Sequence, residues 1–292
     1  MIAAAQPFDW HLHLLWLLAL LALAIGYFRA TRRHADAATT RQTFLFLAGV
    51  ALLAGALTWP LGDLASHWLL LALVLQRLLL TLAVPPLLVL GTPRPMIARL
   101  TRPAAVDAVL RLVVRPVPAV AIVTVVAVST LTVGAVGLAA HSVIFRTAIQ
   151  LIVLASGFVL WAPVLTELPG TQRLSALGRG GYLIVQSIVP SFLSIVWIFA
   201  RHSLYPAFTY QGTIAGMTPL LDQELAGFLA KLSTIAVLWT VAFVIMTRAQ
   251  TDESTGQDTD PLVWSDVERE IERADRRDRR QPWWPGAPPS RP

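Results

Sequence analysis

Arg77 and three glutamines, Gln76, Gln150 and Gln186, stand inside runs of apolar residues, and five of the six histidines stand at the ends of such runs. Each type points to its own chemistry. Arginine at mid-membrane depth costs about 2.5 to 3.5 kcal/mol on insertion scales, so a guanidinium there is a functional signal by default. Every Asp and Glu falls at the edge of an apolar run, in a connection or in the C-terminal tail, so no carboxylate shares that depth. Other partners are needed. Pro163 and Pro190 each delete a helical hydrogen bond and kink their helices, freeing the carbonyls of Val159 and Gln186, and the glutamines add amide oxygens. Two readings stand side by side: an arginine that stitches helices together, and one that serves gating, anion binding or a partner's cofactor.

The histidines suggest a metal. Imidazole is the commonest protein ligand for transition ions, and His11, His13, His67, His141 and His202 gather toward one side of the expected topology, with only His34 on the other. Yet His11 and His13 project about 200° apart on a helix, and five rings on separate helix ends need not converge. With no cysteine in the chain, disulfides, thiol catalysis and Cys-ligated clusters are excluded. Gly-rich phosphate loops, GxSxG elbows, HExxH motifs and paired intramembrane carboxylates are also missing, so the chain is not expected to be an enzyme. The stretch Gly178-Arg179-Gly180-Gly181 reads as a cytoplasmic turn.

The elements that hold these residues are transmembrane. The chain has 292 residues, 55% hydrophobic and 14% charged, where a soluble domain carries about 25% charged residues. Its mean hydropathy is +0.63. The apolar residues fall into seven runs long enough for the ~30 Å hydrocarbon layer: Leu12–Phe28, Thr43–Trp59, His67–Leu90, Pro116–Ala140, Ala148–Leu165, Tyr182–Ala200 and Ala226–Met246. None alternates apolar with polar as a barrel strand does. The expected fold is therefore all-α, a polytopic membrane bundle of seven helices. The first run is expected to be a true span and not a secretory signal, since Met1 to Trp10 holds no Lys or Arg. Pro85 and Pro86 should kink the third span, and a short helix over Ala104–Val113 is expected to lie at the interface.

Charge sets the orientation. Eleven arginines, among them Arg29, Arg99 and Arg173, stand in the connections after the first, third and fifth spans, against only Arg146 and Arg201 in the opposite set. The positive-inside bias puts the N terminus outside and the C terminus in the cytoplasm, in the plasma membrane of the cell. The net charge of +6 is thus a matter of topology, not of nucleic-acid binding. Residues 1–247 form the expected transmembrane domain and residues 248–292 a polar cytoplasmic tail, with a charged helix over Pro261–Arg280 started by Asp260.

Five stretches carry a resemblance: YFRATRR from Tyr27, RQTFLFLAG from Arg41, LQRLLL from Leu75 running into PPLLVLGTP from Pro85, SGFVLWAPV from Ser156, and LYPAF from Leu204. Together they resemble the membrane-integral CtaG-type cytochrome c oxidase assembly family, from about Phe8 to about Arg280. The resemblance implies a helper in the maturation of haem-copper oxidases, with oxidase subunits as partners beside the lipid bilayer, and copper handled on the outer face. Members of that family resemble one another in His-x-x-x-His pairs inside helices. The corresponding positions here are Leu73 with Arg77, and Arg146 with Gln150. A guanidinium that stays protonated cannot ligate copper. Either an internal cation has taken the place of the metal, or His67 and His141, with His202, form a displaced copper site. Against the assembly factor stands a second function, a transporter for a metal ion or small solute, which interrupted helices and polar groups at the midplane would suit.

Overall fold

The computed structural model describes residues 13–33, 38–101, 103–165, 174–209 and 216–254, and these are helical with no β-strand among them. The chain divides into two compact units, Met1–Met246 and Thr247–Pro292. Of the second unit only Thr247–Ser254 is described, as helix. The helix expected over Pro261–Arg280, like His11, His34 and Arg173, lies outside the described residues.

Six helical stretches among the described residues are long and apolar enough to cross a membrane. The first is α1 (Leu14–Arg33), and the second joins α2 (Thr40–Leu57) to α3 (Leu61–His67). The third runs through α4 (Leu70–Leu78), a π-helical turn (Leu79–Ala83) and α5 (Val84–Gly91). After α6 (Arg94–Leu100), α7 (Ala104–Val113), α8 (Pro116–Thr130) and α9 (Val133–His141) come the long helices α10 (Val143–Leu165) and α11 (Ala176–Ile198). A turn of helix, α12 (Pro206–Thr209), precedes α13 (Pro219–Ser254). The chain is an all-α polytopic membrane protein.

Apolar side chains cover the outside of the first unit as well as its core. Leu15 is 84% exposed and Ile144 85%, an arrangement costly in water and neutral in lipid. Inside, Leu80, Val84 and Leu183 are buried among tightly apposed helices. Two glycines set how close those helices come. A Cβ on Gly157 of α10 would stand 2.7 Å from the Leu80 carbonyl oxygen and from Pro85 Cγ, and one on Gly91 would collide with the Phe46 amide nitrogen.

Three sequence readings are corrected. His67 ends α3 and does not open the third span, which begins at Leu70. The fourth run is not one helix, because Thr132 caps a fresh start: its hydroxyl accepts from the Ala135 amide at 3.3 Å, and α8 ends at Thr130. Its neighbour α7 has the bounds expected from sequence and bends 92° away from α8. Gly178 to Gly181 is helix, not turn. Ser175 caps α11 through the Gly178 amide, and a Cβ on Gly180 would meet Met246 Sδ at 2.6 Å, so Gly180 lets α11 approach α13.

Candidate functional site

Interrupted helices leave carbonyls without amides, and polar side chains of neighbouring helices take up several of them. Pro60 has no N–H for the Ala56 carbonyl, and Gln76 Nε2 donates to that oxygen at 2.7 Å. Pro85 does the same to Thr81, whose carbonyl accepts from Trp161 Nε1 at 3.1 Å. At the end of α5, Tyr27 donates to the Gly91 carbonyl at 3.0 Å while its ring stacks on Phe46 at 3.9 Å. Gln76 and Pro85 thus belong to one system of replacement hydrogen bonds.

Arg77 belongs to it as well. The partners expected for it were the carbonyls of Val159 and Gln186; instead both terminal nitrogens turn to Thr130, Nη1 donating to the hydroxyl and Nη2 to the carbonyl at 3.0 Å. Thr130 is the last residue of α8, so the cation meets the carbonyl end of a helix, where the macrodipole leaves about half a negative charge. Tyr205 completes this cap by donating to the Leu131 carbonyl at 2.7 Å. Burial pushes its phenol up, against smaller opposing effects of Trp197 and Arg77, so it remains a donor at neutral pH.

Gln186 donates to the Tyr182 hydroxyl at 2.9 Å, which in turn donates to the Leu160 carbonyl at 2.8 Å, tying α11 to α10. Pro163 lies inside α10 and Pro190 inside α11. Gln150 is buried and makes no hydrogen bond among the described residues.

Two cavities meet at Arg77. The smaller is lined by Leu73, Gln76, Arg77, Arg146 and Gln150 with apolar neighbours. All four positions that the family resemblance singles out, 73, 77, 146 and 150, therefore face one space. The larger, about 110 Å³, adds Thr81, Thr130, Ser156, Gln186 and Thr234. Neither lining contains a carboxylate.

The histidines are placed separately. Arg146 Nη1 lies 3.3 Å from His67 Nε2; since arginine only donates, it takes the lone pair a metal would use. His141 is exposed, and its Nδ1 donates to the Gly137 carbonyl at 2.8 Å, leaving Nε2 as the acceptor. His202 is exposed, and His13 Nε2 lies 3.0 Å from Asp63 Oδ1. No group of three or more His, Cys, Asp or Glu able to share an ion occurs among the described residues. The side chains at the four converging positions, Leu, Arg, Arg and Gln, do not fit copper either.

Sequence reading missed three residues of this region. Asp222 accepts from the Leu70 amide at 2.6 Å and the Leu71 amide at 3.0 Å, capping α4 from α13 because Leu69 offers no cap of its own. Gln223 holds the Leu204 amide at 2.7 Å and the Trp197 carbonyl at 3.3 Å. Thr130 carried no signal beyond its place between the polar residues Ser129 and Thr132.

No curated protein and no solved structure matches the chain. The family model of the cytochrome c oxidase caa3 assembly factors matches residues 21–251, from the middle of α1 almost to the end of α13. That stretch contains every residue of the Arg77 region, and the chain belongs to the cytochrome c oxidase caa3 assembly factor family.

Proposed function

We propose that this chain is an integral membrane helper in the maturation of a haem-copper cytochrome c oxidase, working by contact with nascent oxidase subunits and not by turnover. The family match over residues 21–251 carries this reading. It is supported by a bundle in which Gln76, Arg77, Trp161 and Asp222 are spent on helix ends and proline gaps, a framework role with no assembled acid, base and nucleophile among the described residues. The bundle lies in the plasma membrane with its N terminus outside and C terminus in the cytoplasm, as the arginines of the connections favour.

Delivery of copper on the outer face is the finer form of this proposal. It would run through His141 or His202, or through His67 once Arg146 releases its Nε2, acting with donors of a partner, since none of the three is gathered with two further ligands. We expect substoichiometric copper in the purified chain, unchanged by His67→Ala with His141→Ala. One copper per chain that is lost on these substitutions would establish the displaced site. The assembly role itself is tested by difference spectra of membranes from a strain lacking the chain: loss of the oxidase haem signal with oxidase subunits still synthesised is expected, and an unchanged signal would overturn it.

A further inference from the structure

We infer that the smaller cavity binds a small monovalent anion, a halide or a short carboxylate such as formate, between the guanidinium of Arg77 and the side-chain amide of Gln150, with Arg146 at its less buried end. The inference goes beyond the assembly role and does not depend on it.

Three observations converge. Arg77 is 9% exposed, and its hydrogen-bond partners, the hydroxyl and carbonyl of Thr130, are neutral. Its Nε is buried without a partner. The end of α8 supplies about half a charge, which leaves the cation under-compensated where an unpaired ion costs several kcal/mol. Second, Gln150 lines the same cavity from α10, is 8% exposed, and has no hydrogen-bond partner among the described residues. The unmade hydrogen bond at Arg77 Nε costs about 1 to 3 kcal/mol, and the Gln150 amide lines the cavity with its donors free for a ligand that accepts them. Third, no Asp or Glu lines the cavity.

The charge balance selects the valence. Arg146 adds a second guanidinium, but it already donates to His67 and to the Ala139 carbonyl, and Asp63 acts electrostatically on it. Arg77 has no such acid near it. One net positive charge beside a space with room for about one small species suits one small monovalent anion; a metal cation would be repelled.

The test is thermal unfolding of the full chain in nanodiscs of zwitterionic lipid, at constant sodium, with gluconate replaced stepwise by chloride, bromide or formate. The wild-type midpoint should rise saturably with at least one of these ions; halide and formate arms identify which chemistry is preferred, and a rise with either supports the site. Gln150→Leu removes an unpaired amide of similar volume, so its midpoint in gluconate should equal or exceed that of the wild type while its apparent affinity for the ion weakens about tenfold, the worth of one charge-assisted hydrogen bond. Arg77→Gln should abolish the response; should that variant fail to fold, Gln150→Leu decides. A wild-type midpoint that does not respond, or a response of equal affinity in Gln150→Leu, would overturn the inference.

Discussion

Arg77 is legible in the sequence by its cost alone, yet its partner is not. The carbonyl and hydroxyl of Thr130 sit on another helix 53 residues away, at a break that a run of apolar residues conceals. Cutting this contact from the Thr130 side should be expensive. Thr130→Val leaves one guanidinium nitrogen unpaired and is expected to destabilise the bundle by about 1 to 3 kcal/mol. A cycle with Arg77→Met should give a coupling of about 0.5 to 3 kcal/mol by unfolding in detergent, since the two side chains form one unit. Additive effects would mean that the arginine does not depend on this helix end. Asp222 makes the same point with opposite sign. Because Leu69 cannot cap α4, a carboxylate 152 residues away does so, and no local pattern reveals it. Asp222→Ala should cost about 0.5 to 2 kcal/mol, the usual value of a lost N-cap.

At the scale of elements, hydropathy located the spans because lipid demands long apolar helices, and it failed where helices break without Pro or Gly. The break between α8 and α9 carries only the weak signal of Thr132 as a cap. The glycines of α11 misled in the other direction: Gly180 makes room for Met246 of α13, and the helix runs through all three despite their poor helix propensity. Close approach gives a sharp contrast. A methyl group on Gly157 would collide with the Leu80 carbonyl and Pro85, whereas one on Gly26 of α1 meets nothing within 4 Å. Gly157→Ala should therefore lose about 1 to 3 kcal/mol by overpacking, and Gly26→Ala should be neutral or stabilising. Equal unfolding midpoints for the two would contradict the packing of α10 on the π-helical turn. The Trp161 indole is worth most while Pro85 withholds an amide from Thr81. Trp161→Phe should thus be less damaging in a Pro85→Ala background.

On the scale of the whole molecule, composition and arginine distribution carry the membrane reading, and the family match carries the role. The convergence of positions 73, 77, 146 and 150 on one cavity was not legible in sequence. It depends on how α4 meets α10, which periodicity does not encode. Labelling of single cysteines in intact cells should find position 99, in the connection after the third span, protected, and position 202 reactive; the reverse pattern would invert the topology and with it the outer placement of the histidines. The role itself is best tested in membranes of a strain lacking the chain, by the reduced-minus-oxidised haem spectrum of its cytochrome c oxidase. The expected result is a strong loss of the oxidase signal that the full chain restores. A full-strength signal in its absence would contradict the account.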